Sequence, residues 1–258
     1  MQQSNTYIIT FSVILTVVLG LLLSGTSQVL GPIQQRAQEL DTQKQILGAV
    51  LDPSEIRGMK PEEVQNFYLT RISSKVVDIE GNEITQDADG NPIVAEKVNV
   101  GKNYKLAPEK RLYPVFIYHA DGNPDDVESY ILPVYGAGLW DEIWGYLALQ
   151  TDFNTIEGVT FAHLGETPGL GARITQNSVQ QRYQGKQIFD EAGNLQSVVM
   201  QKGEGRDYDD DLHKVDGLSG ATITANGVNI MLKNYLSHYN AFIEKQRASK
   251  SSDLASLN

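Results

Sequence analysis

The sequence predicts an α+β fold, an antiparallel or mixed sheet flanked by helices, preceded by one N-terminal transmembrane helix. Three observations predict it. Residues 7–23 form an apolar run without a charge. Between residues 74 and 163 short apolar segments recur, punctuated by Gly, Asn, Asp and Pro, as strands and turns require. From residue 224 to 250, Val228, Met231, Leu232, Tyr235, Tyr239, Phe242 and Ile243 fall at helical spacing, a stripe suited to covering a sheet.

The apolar run is long enough to cross a bilayer at about 1.5 Å per residue. Thr10, Ser12 and Thr16 do not spoil it, because their hydroxyls bond back to the preceding turn, and Gly20 leaves a flat place for another membrane helix. A cleaved signal peptide needs a basic start and a small-x-small cleavage site. Residues 1–6 contain neither Lys nor Arg and no Ala-x-Ala follows, so a retained anchor is expected. The positive-inside rule finds Arg36 and Lys44 after the run and no basic residue before it, which taken alone favours a cytoplasmic domain. Gly31-Pro32 is expected to break the helix, dividing the chain into an anchor over 1–30 and a soluble domain over 31–258.

The remaining elements follow in order. A second helix is expected over 33–51, ended by Asp52-Pro53, and a short one over 61–69 with Glu62 and Glu63 in its first turn. Strands are expected at 74–84, 94–100, 112–119, 129–135, 145–150 and 158–163, with a hairpin over 188–201. Asp87-Ala-Asp-Gly-Asn-Pro resembles a calcium loop until its spacing is checked: Pro92 stands where the glycine belongs and Val98 where the bidentate glutamate belongs. It reads as a turn, as do 121–124 and 190–194.

The formal net charge of -11 lies wholly beyond residue 35. So acidic a domain, without a basic patch interleaved with aromatics, excludes nucleic acid as a partner. The absence of cysteine excludes disulfides, a lipoprotein anchor and thiolate-bound iron–sulfur clusters. His119, His163, His213 and His238 show no ligand-like spacing, so no metal site is assigned.

Chemistry concentrates in three clusters. The first is Asp216-Gly-Leu-Ser219-Gly220-Ala221-Thr222, which runs into the last helix. Its glycines and Ala221 let a large group approach the hydroxyls, and a helix N-terminus offers unpaired N–H groups to a phosphate. A plain turn with a Ser or Thr helix cap would use the same residues. The second cluster, 163–173, holds Glu166, Thr167, Gly169 and Leu170. Its Gly-Leu-Gly turn lets main-chain N–H groups reach a flat polar edge, although Thr-Pro-Gly is also an ordinary tight turn. In the third, Tyr135-Gly-Ala-Gly-Leu-Trp140, the third glycine of a dinucleotide fingerprint is missing, and Trp140 is either the wall of a flat ligand or a core anchor. Ser219 lies in Leu-Ser-Gly rather than a Gly-x-Ser-x-Gly elbow, so a Ser/His/Asp hydrolase is not supported.

Asp216 to Thr222 resembles the recognition motif at which a dedicated transferase attaches FMN through a phosphoester, and His-x-x-Glu-Thr-Pro-Gly-Leu-Gly at 163–171 resembles a signature of the same FMN-binding domains. With the glycine-and-tryptophan turn at 136–140 and the apolar run, the chain is similar to the family of C subunits of the sodium-translocating NADH:quinone oxidoreductases. The stretch from about 58 to 113 suits that family better than the shorter G subunit of the ion-translocating ferredoxin-linked complex, and a membrane-anchored binding or assembly module without a redox cofactor stands as a further alternative.

The resemblance implies a protein that relays electrons through a covalent FMN within a membrane complex coupled to sodium export. It implies a single anchoring helix with the domain outside the cytoplasmic (inner) membrane, on the periplasmic face, with the rest of the complex and a flavin transferase as partners. It makes Thr222 the phosphoester tether, and Asp216, Ser219, Gly220, Ala221, Glu166, Thr167, Gly169, Leu170 and Trp140 the cofactor surroundings. No catalytic residue is assigned.

Overall fold

The computed structural model describes residues 4–121 and 123–256, with side chains as far as residue 250. Met1, Gln2, Gln3, Gly122, Leu257 and Asn258 lie outside the described residues, and with Gly122 lies part of the turn expected at 121–124. Two compact units divide between Gln43 and Lys44.

The first unit is helical. α1 spans Asn5–Gly48, is long and apolar enough to cross a membrane, and keeps the large apolar side chains from Tyr7 to Ile33 exposed. The break expected at Gly31-Pro32 does not occur, and Pro32 lies inside the helix. Proline deprives only the Gln28 carbonyl of its helical donor, and a long helix that stays regular on both sides absorbs that single loss. Thr16 and Thr26 return their hydroxyls to carbonyls one turn back.

The second unit begins with the last turn of α1 and continues through α2 (Pro53–Gly58) and α3 (Pro61–Arg71) into a sheet. β1 (Ile72–Val77), β2 (Tyr113–Tyr118), β3 (Ser129–Ala137), β4 (Glu142–Gln150) and β5 (Ile156–His163) pair antiparallel in chain order. α4 (Val100–Tyr104) lies between β1 and β2. α5 (Asn177–Gln180) follows β5, β6 (Val199–Met200) pairs with β7 (Lys214–Val215), and α6 (Thr222–Ser256) closes the chain.

Period-two alternation assigns the faces. Tyr113, Val115, Tyr130 and Leu132 join the main core, whose other side is Val228, Met231, Leu232, Tyr235, Leu236, Tyr239, Phe242 and Ile243 of α6. Phe116, Tyr118 and Ile131, on the opposite face, are buried outside that cluster, as are Ile46, Leu47, Ile56, Val64 and Tyr68 from the helices. Gln45 fixes the end of α1 here: its side-chain oxygen accepts from Trp144 Nε1 at 3.1 Å, and its carbonyl accepts from Thr160 Oγ1 at 2.9 Å.

Three strand expectations are corrected. The strand expected over 74–84 ends at Val77, because Asp78 turns the chain by accepting from Asn82 N–H at 2.8 Å. Residues 94–100 form a 3-10 turn, Ala95–Lys97, and lead into α4, because Asn99 caps the helix by accepting from Lys102 N–H at 2.8 Å. The hairpin expected over 188–201 shrinks to the bridge Phe189↔Leu195 around the Asp190–Asn194 turn. Ser197, at φ 66, interrupts the extended run, and Val199 and Met200 pair in parallel with Lys214 and Val215. Lys186 explains the new partner. Its buried ammonium donates to the Tyr208, Asp209 and Asp211 carbonyls and folds the acidic loop back beside residues 199–200.

Candidate functional site

Three segments meet at the start of α6: the turn between β3 and β4, the loop after β5, and the loop from β7 into the helix. The turn is closed by Gly138 N–H donating to the Asp141 carbonyl at 2.8 Å, which leaves Leu139 and Trp140 at its tip. The loop after β5 folds on Thr167, whose carbonyl accepts from the N–H groups of Leu170 and Ala172, and then enters a 3-10 helix, Gly171–Thr175.

Glu166 joins all three segments. Its side chain is buried, 4% exposed. Oε1 accepts from the N–H groups of Leu139 (2.7 Å) and Trp140 (3.0 Å), and Oε2 accepts from Thr224 Oγ1 at 2.5 Å in the first turn of α6. Burial pushes the carboxyl up, but the Thr224, Trp140 and Leu139 donors and nearby His163 outweigh it and hold the pKa below the usual carboxylate value. The slot is lined by glycine for a steric reason: a Cβ on Gly138 would stand 2.3 Å from Oε1, and one on Gly171 2.2 Å from Oε2.

The loop into α6 is held from beneath by ions. Asp216 accepts from the N–H groups of Gly205 (2.8 Å) and Arg206 (3.1 Å). Arg182 donates to the carbonyls of Asp216 (3.0 Å) and Gly217 (2.8 Å). Glu204 pairs with Arg173 and accepts from Ser219 N–H at 3.1 Å. Gly220 turns the chain at φ 73, a left-handed conformation that a side chain disfavours, and a Cβ there would also meet Leu170 Cδ2 at 2.9 Å.

Thr222 is the first residue of α6 and is exposed, and among the described residues its hydroxyl has no hydrogen-bond partner. The helical bond from Ala225 N–H to the Ala221 carbonyl places Ala221 at the cap, so neither Ser219 nor Thr222 serves as a side-chain cap here. Thr224 is 1% exposed with its hydroxyl committed to Glu166, leaving Ser219 and Thr222 as the surface hydroxyls of the segment. Leu170, Ile223, Leu139 and Trp140, drawn from the same three segments, are exposed apolar side chains. The indole Nε1 of Trp140 donates to Thr167 Oγ1 at 3.1 Å.

Every residue singled out from the sequence therefore lies in these three segments. Trp140 is displayed rather than packed in the core, whereas Trp144 is the partner of Gln45. Glu166 faces protein donors, and Asp216 faces its own neighbouring loop. Thr224, Arg173, Arg182 and Glu204 acquire their roles only in the folded chain. Helical spacing two residues past Thr222 was the available signal for Thr224, but nothing local connects Glu204 with an arginine 22 or 31 residues earlier.

A free hydroxyl at a helix N-terminus, a glycine beside it and flat apolar walls are what a phosphate-bearing planar cofactor requires, so these residues fit FMN. The family described as an FMN-binding domain matches residues 138–237, which take in the three segments. The C subunit of the Na(+)-translocating NADH-quinone reductase of Yersinia pestis is 32% identical, over 91% of this chain and 90% of its own length. That of Neisseria meningitidis serogroup A is 33% identical, over 87% of this chain and 86% of its own. The crystal structure of the same protein from Parabacteroides distasonis is similar with a TM-score of 0.68 at 34% identity, over 83% of this chain and 96% of that one.

Fold and site together define an FMN-binding domain of α+β architecture. Its sequence and its structure agree on a narrower group: the chain belongs to the family formed by the C subunits of the Na(+)-translocating NADH-quinone reductases.

Proposed function

We propose that the protein is the electron-carrying subunit of a sodium-exporting NADH:quinone oxidoreductase, with FMN joined by a phosphoester to Thr222. The observation that carries this reading is the free, exposed Thr222 hydroxyl at the first position of α6, inside Asp-Gly-Leu-Ser-Gly-Ala-Thr.

Each residue has a defined task. The Thr222 oxygen is the tether, and the first N–H groups of α6 would hold the phosphate without a lysine or arginine. Gly220 keeps the approach clear, Leu170 and Trp140 offer apolar surfaces to a flat ring, and Thr167 holds the indole in place. Glu166 keeps an ionised carboxylate behind the turn, and its negative charge disfavours reduction beside it. FMN, when bound, accepts electrons and passes them on, while the protein supplies position and electrostatics. A covalent tether suits that work because it holds through both redox states, whatever each does to noncovalent affinity.

In this reading α1 is a single span of the cytoplasmic membrane with the domain on its outer face, and the other subunits and a flavin transferase are the partners. The length and composition of α1 support the span, and the family resemblance supports the side; Arg36 and Lys44 alone would favour the opposite side. The intact mass of the protein purified from its native membrane tests the reading. An FMN-sized increment on the peptide containing Thr222 is expected, and an unmodified chain would overturn it.

A further inference from the structure

Trp140 is 69% exposed yet fixed at its indole and at its main chain. The indole donates to Thr167 and the main-chain N–H donates to Glu166, as does the N–H of Leu139. A large aromatic left in solvent and held by directed bonds is displayed, since packing alone would have buried it. The other end of the bridge lies in the helix that carries the attachment residue: Thr224 donates to the second oxygen of Glu166, with both side chains buried. The glycines flanking the carboxylate let it seat against their backbone, because a Cβ at either position would overlap an oxygen.

We propose that Thr224 is a positioning residue for the flavin site. Through the buried Glu166 carboxylate it ties the Leu139–Trp140 turn to the first turn of α6, so that the aromatic wall and the Thr222 tether keep one geometry. This rests on the reading that Thr222 carries FMN. The physical need is clear, since a phosphoester followed by a ribityl chain has many rotatable bonds and fixes only one end of the cofactor. A wall held rigidly relative to the tether restricts where the ring can settle.

The test uses the full-length chain with Trp144→Phe, which leaves Trp140 as the sole indole. Fluorescence anisotropy and iodide quenching of Trp140 are measured on chain made without the transferase, and the flavin midpoint potential on the modified protein. Thr224→Val is expected to lower the anisotropy, raise the quenching and shift the potential, and Thr224→Ser to restore all three. A folded Thr224→Val chain with unchanged anisotropy and quenching would overturn the proposal. Should that variant not fold, hydrogen exchange in the otherwise unmutated chain decides. Protection of the Leu139 and Trp140 amides matching that of Ala225, whose N–H donates to the Ala221 carbonyl, supports the bridge, and free exchange of those two amides overturns it. Absence of FMN from Thr222 would remove the parent reading and leave the indole measurements standing, so the two failures are distinguishable.

Discussion

The guanidinium of Arg173 meets the carboxylate of Glu204 through two hydrogen bonds, 2.9 Å from Nη1 to Oε2 and 2.5 Å from Nη2 to Oε1. Arg182 approaches the same carboxylate at 3.5 Å while donating to two carbonyls of the segment leading into α6. The loop bearing Ser219 is therefore shaped by a charge cluster recruited from elsewhere in the chain. Because each carbonyl and N–H so engaged is part of that backbone, the cluster fixes where the hydroxyls of the motif come to rest.

Acid should loosen this cluster in a defined window. The hydrogen bond from Arg173, then that from Ser219 N–H, bring the Glu204 carboxyl down from 4.5 to about 2. A depressed folded-state pKa means the stabilisation is complete above about pH 4.5 and fades as pH falls toward about 2. Melting temperatures across that window should drop more steeply for the natural chain than for Glu204→Gln. The variant should itself lose about 1–3 kcal/mol at neutral pH, the usual worth of hydrogen bonds to a charged group. Equal slopes would remove Glu204 from the acid response.

Two glycines separated by one residue should respond differently to alanine. At Gly171 the new methyl would sit 2.2 Å from Glu166 Oε2 and 2.5 Å from Thr224 Oγ1, forcing the bridge apart. Gly169 has open space around it but φ 78, so alanine there meets only backbone strain, about 1–2 kcal/mol. Urea titration should rank Gly171→Ala as the more damaging, with a loss of about 3 kcal/mol or more from overpacking and unpaired polar groups together. The reverse order would mean that the slot is looser than its geometry.

Much of this architecture could be read before any coordinates. The α6 stripe and most of the sheet strands follow from periodicity and turn chemistry, which are local, while the three site segments stand out through their resemblance to known motifs. Pro32 misleads because one missing donor does not end a helix that is regular on both sides. The 94–100 run misleads because valines at alternating positions mimic a strand, while the deciding interaction is the cap from Asn99. Burial of Glu166 and the arginine cluster are out of reach for another reason. Both depend on contacts across 22 to 58 residues, and an isolated Glu in a Thr-Pro-Gly turn looks no different when it faces water.

Replacing Glu166 should separate its charge from its hydrogen bonds. Glu166→Ala leaves three donors unpaired in a buried place and should cost about 2–4 kcal/mol in urea unfolding. Glu166→Gln keeps an acceptor for the two N–H groups and should cost less, while removing a negative charge. On the modified protein it should therefore raise the flavin midpoint potential. An unchanged potential would place the ring beyond the field of this carboxylate.

The choice of acceptor hydroxyl can be decided by three substitutions read by intact mass after maturation with the transferase. Thr222→Ala should lose the FMN increment and stay folded, because an exposed side chain without a hydrogen-bond partner contributes within about 0.5 kcal/mol. Ser219→Ala should retain the increment, since among the surface hydroxyls of the segment only Thr222 sits at the first position of α6, where the N–H groups converge. Thr224→Ser should retain it too, its hydroxyl being turned inward to Glu166. Retention of FMN by Thr222→Ala would move the tether to Ser219, the other exposed hydroxyl, and the loop held by Arg173 and Glu204 would then carry the cofactor in place of the helix.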